Sequence, residues 1–193
     1  IEIFKLGEKK MKIEELFSVK NKIAVVTGGS RGIGEMIASA YLANGATVYI
    51  TSRKADICDA KAIELSERYN ARCISLPSDL SSLEGIEKFV TEVEALESAI
   101  DILVNNAGAA WAEPIDVFSE KGWDKVMDLN VKSVFFSTQK FLPLLKKNAS
   151  RENPSRVINI GSIDGIGTPI FETYPYSASK ASVHHMTRVL AAR

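Results

Sequence analysis

Cysteine is scarce in this sequence: 193 residues hold only Cys58 and Cys73, with no C-x-x-C spacing. That excludes a disulfide-framed scaffold and makes two reduced, buried thiols the expectation. Histidine is equally rare. His184 and His185 are the only two, they have no acid at metal-ligand spacing, and both read as helix residues, so no metal site is expected. Excess charge is absent too: 24 Lys+Arg balance 24 Asp+Glu with no basic block, which argues against a dedicated nucleic-acid binder. No apolar run approaches the ~18 residues of a membrane span. The start, Ile1-Glu2-Ile3-Phe4-Lys5, turns charged too soon for a secretory signal. A cytoplasmic protein with neither nucleic-acid nor membrane partners is the expectation. No initiator Met opens the chain, so its beginning is read as trimmed or incomplete, and organelle targeting stays open.

What is present is ordinary globular composition, 46% hydrophobic and 25% charged, at a length that suits one α/β domain. Residues 1–20 are polar and poorly patterned and read as an N-terminal extension; 21–193 read as the domain. Short apolar runs at Lys22–Thr27, Ala46–Thr51, Arg72–Leu76, Asp101–Val104 and Arg156–Ile160 predict strands. Helical patterns separate them. The first places Ile33, Met36, Ile37, Ala40 and Tyr41 on one face and stops at Asn44-Gly45. A second runs from about Lys54 to Tyr69. A third, opened by Ser81 or Ser82, carries Leu83, Ile86, Phe89, Val90, Val93 and Leu96. A long one spans Trp123–Lys147 with Val126, Met127, Val131, Val134, Phe135, Thr138 and Leu142 in period, and Trp123 as a core anchor. A last one runs from about Tyr176 to the end. Strands alternating with helices predict a doubly wound parallel sheet with five strands visible.

Three local patterns carry chemistry. Thr27-Gly28-Gly29-Ser30-Arg31-Gly32-Ile33-Gly34 follows a strand and opens a helix, the setting in which glycines let backbone N–H groups and a helix N-terminus approach a pyrophosphate. Its spacing is G-x-x-x-G-x-G, and a tight turn without a ligand is the competing reading. The second strand ends in Ser52-Arg53 rather than an acid. With Arg31 nearby, two guanidiniums suit a 2′-phosphate, while Asp56 three residues on keeps NAD open. Tyr176 and Lys180 lie four apart, on one helix face. A phenol has a pKa of about 10, and a neighbouring ammonium favours its ionised form, as proton exchange at neutral pH requires. Trp111, after Asn105–Gly108, is read either as a wall of the substrate cleft or as packing.

In conjunction, Thr27–Gly34, Asn105-Asn106-Ala107-Gly108, Asn130, Ser162, Tyr176 and Lys180 resemble the short-chain dehydrogenase/reductase family over residues from about 22 to 193. The segments GGSRGIG, DILVNNAG, GWDKVMDLNVKSVFF and ENPSRVINIGS are similar to bacterial NADPH-dependent 3-oxoacyl reductases of the rhamnolipid type. The resemblance implies an NADP-dependent oxidoreductase acting on a small-molecule carbonyl or alcohol, with a 3-oxoacyl thioester as one candidate. Tyr176 would be the general acid, Ser162 would hold the carbonyl oxygen, and Lys180 would bind the nicotinamide ribose. Asn130 would hold a water linking Lys180 to solvent. Gly28, Ser30, Arg31, Ile33 and Gly34 would line the cofactor phosphates and ribose, Asp79 would bind the adenine amino group with Leu80 beside it, and Asn106 and Ala107 would pack against the cofactor beyond the fourth strand. Tyr174 has Ala178 four residues on, not a lysine, and is a decoy. Members of the family often pair through two long helices, here ~123–147 and ~176–193, so a homodimer or homotetramer is implied.

The family runs on past the helix of Tyr176 into further strands, and the last helical pattern here is still in period at Arg193. The expectation is a domain cut short at its C-terminus, from a parent longer by roughly 50 residues. A non-catalytic dinucleotide-binding or regulatory protein is the alternative function.

Overall fold

The computed structural model describes residues 17–192, so most of the expected extension over 1–20 lies outside the described residues. Five strands, β1 (Ile23–Thr27), β2 (Thr47–Thr51), β3 (Cys73–Ser75), β4 (Ile102–Asn105) and β5 (Arg156–Asn159), form one parallel sheet in the order β3-β2-β1-β4-β5. The crossovers are α1 (Gly32–Ala43), α2 (Ala55–Tyr69), α3 (Leu83–Glu94), α4 (Glu120–Met127) and α5 (Ser133–Lys147), and α6 (Tyr174–Ala191) follows β5. The chain winds outward from β1 to β3, then returns to lay β4 and β5 on the other side of β1. The sheet's switch point is therefore between β1 and β4, where a crevice opens beyond the carboxyl ends of the strands.

Strands β1, β2 and β4 are rich in Val and Ile because both their faces are covered. Ala24, Val26, Val48, Ile50, Ile102 and Val104 pack with Ala38 and Leu42 of α1 and Cys58, Ala62 and Leu65 of α2. The alternate residues Val25, Tyr49 and Leu103 pack with Ile86, Phe89 and Val93 of α3 and Phe141, Leu144 and Leu145 of α5. Phe89 and Phe141 meet edge to face at 5.5 Å. Each large side chain so buried contributes about 1.5–3 kcal/mol. Capping fixes the helix starts: Ser82 and Ser119 accept the N–H of Gly85 and Gly122, each at 3.1 Å, at the heads of α3 and α4. Cys58 and Cys73 are buried free thiols, and burial pushes the Cys73 thiol up to about 12.

Strand and helix positions follow the sequence pattern closely, but several faces do not. Ile33 and Met36 are 55% and 62% exposed rather than on a buried face. The buried stripe of α1 is Gly34, Ala38 and Leu42. Only a residue without a side chain fits where α1 crosses the first turn, since a Cβ on Gly34 would lie 2.2 Å from the Gly28 carbonyl oxygen. Leu83 and Leu96, at the ends of the α3 pattern, are exposed. Trp123 is exposed as well and is not a core anchor. Gly122 takes the interior place beneath the Trp111 indole, where a Cβ would meet the ring at 2.4 Å. Trp123–Lys147 is helical throughout, as expected, but a π turn at Asp128–Lys132 interrupts the α-helical register between α4 and α5. Phe135 and Leu142 of the expected inner face are exposed, and Phe141, Leu144 and Leu145 are buried instead.

Candidate functional site: a crevice at the switch point

The first turn is built around Thr27. Its hydroxyl donates to the Val104 carbonyl at 3.2 Å and accepts the N–H groups of Asn106 and Ala107 at 2.9 and 3.0 Å, locking the ends of β1 and β4 together. Gly28 sits at φ +66°, a conformation glycine adopts without strain, and the N–H groups of Gly28 and Gly29 donate to the Thr51 carbonyl. The Asn106 amide donates to the carbonyls of Thr27 and Gly28, filling the space a side chain on Gly28 or Gly34 would need. The result is a cleft of about 410 Å³.

Gly28, Ser30, Arg31, Ile33 and Gly34 line it from the first turn, Arg53 from the end of β2, Leu80 from beyond β3, and Asn106 and Ala107 from beyond β4. Ile33 is thus exposed because it faces this cleft. Tyr176 and Lys180 do not line this cleft, and Asp79 also stands off it. Its carboxylate accepts from the backbone N–H and hydroxyl of Ser81 at 3.0 and 2.8 Å, while its neighbours Ser78 and Leu80 form the wall. Arg31 and Arg53 make no ion pair among the described residues. Lys54 adds a third cation at that end. The N-terminus of α1 opens onto the same cleft, and its positive dipole end favours phosphate.

The second group gathers around α6. The π turn presents Asn130, which is fully buried. Its carboxamide accepts the Ala109 N–H at 2.8 Å and donates to the Ala109 carbonyl and the Ser179 hydroxyl at 2.9 and 3.0 Å. Asn130 thereby ties the loop after β4 to the helix of Tyr176 and Lys180. The Lys180 ammonium lies 5.6 Å from the centre of the Tyr176 ring and donates to the Ile160 carbonyl at 2.7 Å. Burial holds its pKa below the usual lysine value. Ser162 heads the tight turn Ile163–Gly165, its hydroxyl accepting the Asp164 N–H at 3.2 Å. Gly165 rests on the Lys180–Ala181 peptide, where a Cβ would come within 2.6 Å of backbone. Tyr174 points elsewhere: its hydroxyl donates to Glu172 at 2.9 Å and its ring meets Phe118. That hydrogen bond to Glu172 raises the Tyr174 phenol pKa. Trp111 carries the Lys125 ammonium over its ring at 4.4 Å.

Three contributors escaped the sequence reading. From the sequence, Thr27 opens the glycine turn with no role for its hydroxyl, Ser179 has no role, and Lys54 marks only the start of a helical stretch. Only Lys54 left a usable signal, as a cation next to Arg53.

A parallel sheet with a glycine-built crevice at its switch point, and a buried lysine beside a tyrosine on the adjoining helix, defines a dinucleotide-type α/β domain. The chain belongs to the short chain dehydrogenase family, whose model matches residues 22–193. It is 47% identical over 175 residues to the rhamnolipids biosynthesis 3-oxoacyl-[acyl-carrier-protein] reductase of Pseudomonas aeruginosa, covering 91% of this chain and 68% of the relative. It is 33% identical to an NAD-dependent glycerol dehydrogenase of Listeria innocua, covering 91% and 65%. Among solved structures it matches the Pseudomonas aeruginosa RhlG/NADP active-site complex with a TM-score of 0.88 at 48% identity, covering 91% of this chain and 68% of that one. The chain thus spans about two thirds of the length of these relatives.

Proposed function

We propose that this protein is an NADP-dependent oxidoreductase that transfers a hydride between NADP(H) and a carbonyl or secondary alcohol, with a 3-oxoacyl thioester as the first substrate to try. One observation carries the reading: the glycine crevice with Arg31 and Arg53, which make no ion pair among the described residues, and the Tyr176–Lys180 pair are built on adjoining strand ends, β1/β4 and β5/α6. The likeness to the Pseudomonas reductase supports the substrate class, and the NADP complex of RhlG supports the cofactor.

The crevice fits the cofactor, since Gly28 and Gly34 leave no room for side chains of their own and α1 offers its N-terminus. Gly28, Ser30, Arg31, Ile33 and Gly34 would hold its phosphates, Arg31 and Arg53 the 2′-phosphate, Leu80 the adenine end, where Asp79 would have to release Ser81 to take part, and Asn106 and Ala107 the far side. NADPH, when bound, supplies the hydride. Ser162 fixes the carbonyl oxygen by a hydrogen bond. Tyr176 gives its phenolic proton to that oxygen as negative charge develops there. An ammonium has three donors, so Lys180 keeps two beyond the bond to Ile160 for ribose hydroxyls. Both donors of the Asn130 carboxamide are committed to Ala109 and Ser179, so a proton-relaying water near Lys180 would meet this residue only at an acceptor, its side-chain oxygen or its main-chain carbonyl.

The same proposal places the protein in the cytoplasm as a homodimer or homotetramer, associating through α5 and α6. Exposed Phe135, Leu142 and Val189 on those helices support the association. Among the described residues no helix is long and apolar enough to cross a membrane.

The test is NADPH oxidation over a panel of 3-oxoacyl thioesters, quinones, steroids and sugars. Tyr176→Phe should abolish turnover while leaving NADPH binding intact, and Tyr174→Phe should be mild. Equal losses in the two variants would remove Tyr176 from the role of acid.

A further inference from the structure

Three consecutive residues at the end of β5 grip α6. The Asn159 amide donates to the Thr187 hydroxyl at 2.9 Å. The Ile160 carbonyl accepts from Lys180 at 2.7 Å. Gly161 lies so close to His184 that a Cβ built on it would be 2.3 Å from Nε2 and 2.7 Å from Cδ2 of the imidazole. Residue 162 is the serine of the proposed reaction. On the helix side, Tyr176, Lys180, His184 and Thr187 are spaced four, four and three apart, the spacing of one helix face. The strand end that delivers Ser162 and the helix that delivers Tyr176 and Lys180 are thus held together by one row of contacts.

The Asn159 contact is anchored from behind. The side-chain Oδ1 of Asn159 accepts from the Asn105 side-chain amide at 2.8 Å, and that amide also donates to the Thr138 hydroxyl at 3.1 Å. A chain of side-chain bonds therefore runs from α5 through β4 and β5 to α6. Thr187 uses its own proton on the Val183 carbonyl at 2.7 Å, so toward Asn159 it can only accept. The direction of the bond is fixed, and an apolar residue of the same shape would leave the Asn159 N–H groups without that acceptor.

We propose that His184 and Thr187 are positioning residues: by seating Gly161 and Asn159 they set the distance between Ser162 and the Tyr176–Lys180 pair. The inference rests on the oxidoreductase reading for its kinetic consequence, but the geometry it claims is independent of turnover. Neither residue touches the reacting atoms. Misplacing a reacting group by about 1 Å can cost on the order of 100-fold in rate.

The experiment uses the full-length protein and the best carbonyl substrate of the panel. Thr187→Val should lower kcat about ten- to hundred-fold, with NADPH Kd within about twofold of wild type. Thr187→Ser, which keeps the acceptor, should recover kcat. Gly161→Ala should lower kcat by pushing Ser162 away from α6, and Gly161→Ala combined with His184→Ala should restore most of it by making room. A wild-type kcat in both Thr187→Val and Gly161→Ala overturns the proposal. So does a Gly161→Ala/His184→Ala double variant no better than Gly161→Ala, or losses that track stability alone with no rescue by serine. Failure of the wild-type protein to oxidise NADPH with any substrate would instead count against the oxidoreductase reading. Crystal structures of the variants then decide the positioning claim: an unchanged separation of Ser162 Oγ and Tyr176 Oη in Thr187→Val and Gly161→Ala overturns it.

Discussion

On the proposed reading, Arg31 and Arg53 decide which nicotinamide cofactor the crevice takes. Both line the cleft, neither is neutralised by an ion pair among the described residues, and no acid lines the cleft to receive a free ribose 2′-hydroxyl. A charge-assisted hydrogen bond contributes about 1.5–3 kcal/mol, so one arginine gives roughly 10- to 150-fold preference for NADPH. Titrating both cofactors against wild type and Arg53→Asp checks this, with the preference lost or reversed in the variant. Lys180 offers a second test at this scale. Burial lowers its pKa in the folded chain below that of the unfolded chain, so between those two values the unfolded state binds more protons. Stability of wild type relative to Lys180→Met should therefore rise as pH increases through the depressed pKa toward 10.5, and fall back as pH is lowered. Urea unfolding of both proteins across that range measures it, and a flat difference would show that the lysine is not desolvated. The site residues were legible where chemistry forces a residue type, as at Gly28, Gly34, Tyr176 and Lys180. They were not where a side chain acts on its neighbours: nothing in the sequence distinguishes the Thr27 hydroxyl that locks β1 to β4 from any other strand threonine, or shows that Asp79 turns to Ser81.

At the scale of elements, β1, β2 and β4 were readable because burial on both faces favours Val- and Ile-rich runs, and α3 because its apolar face is distinct. The stretch from Glu120 to Lys147 was readable as helix but not in its buried face. Its apolar residues lie around more than one face, so periodicity alone chose the stripe through Phe135 and Leu142 over the one through Phe141, Leu144 and Leu145. The π turn at Asp128–Lys132 left no sequence mark either, although such turns recur at functional sites. Its role is to aim Asn130 at Ala109 and Ser179 while α5 stays anchored by Phe141, Leu144 and Leu145. Deleting Val131 should turn the segment into regular helix and move Asn130 from its present position relative to α5. The expected outcome is a protein with unchanged helix content by circular dichroism but without turnover. Full activity after the deletion would show that the placement of Asn130 is dispensable.

For the whole molecule, the exposed apolar residues of α5 and α6 bear on association. Phe135 and Leu142 on α5 and Val189 on α6 are between 38% and 47% exposed, on the helices through which the proposed dimer forms. Single exposed apolar residues need no explanation, but their recurrence on both of these helices marks a candidate contact. In the proposed dimer the same residues would bury against a second copy, and so would keep the hydrophobic pattern of a core while standing outside it. A stable interface covers about 1,200–2,000 Å² in total, more than one helix supplies, so both helices are required. Placing a charge at the centre of such a contact leaves it buried without a partner, at a cost of several kcal/mol, whereas on a solvated monomer surface the same change costs almost nothing. Phe135→Glu combined with Val189→Glu should therefore convert a dimer or tetramer of the full-length protein to monomer in light scattering at micromolar concentration. The fold should survive, because neither residue belongs to the two buried clusters around the sheet. A wild-type protein that is already monomeric, or a double variant that keeps the same mass, would place the association elsewhere or remove it.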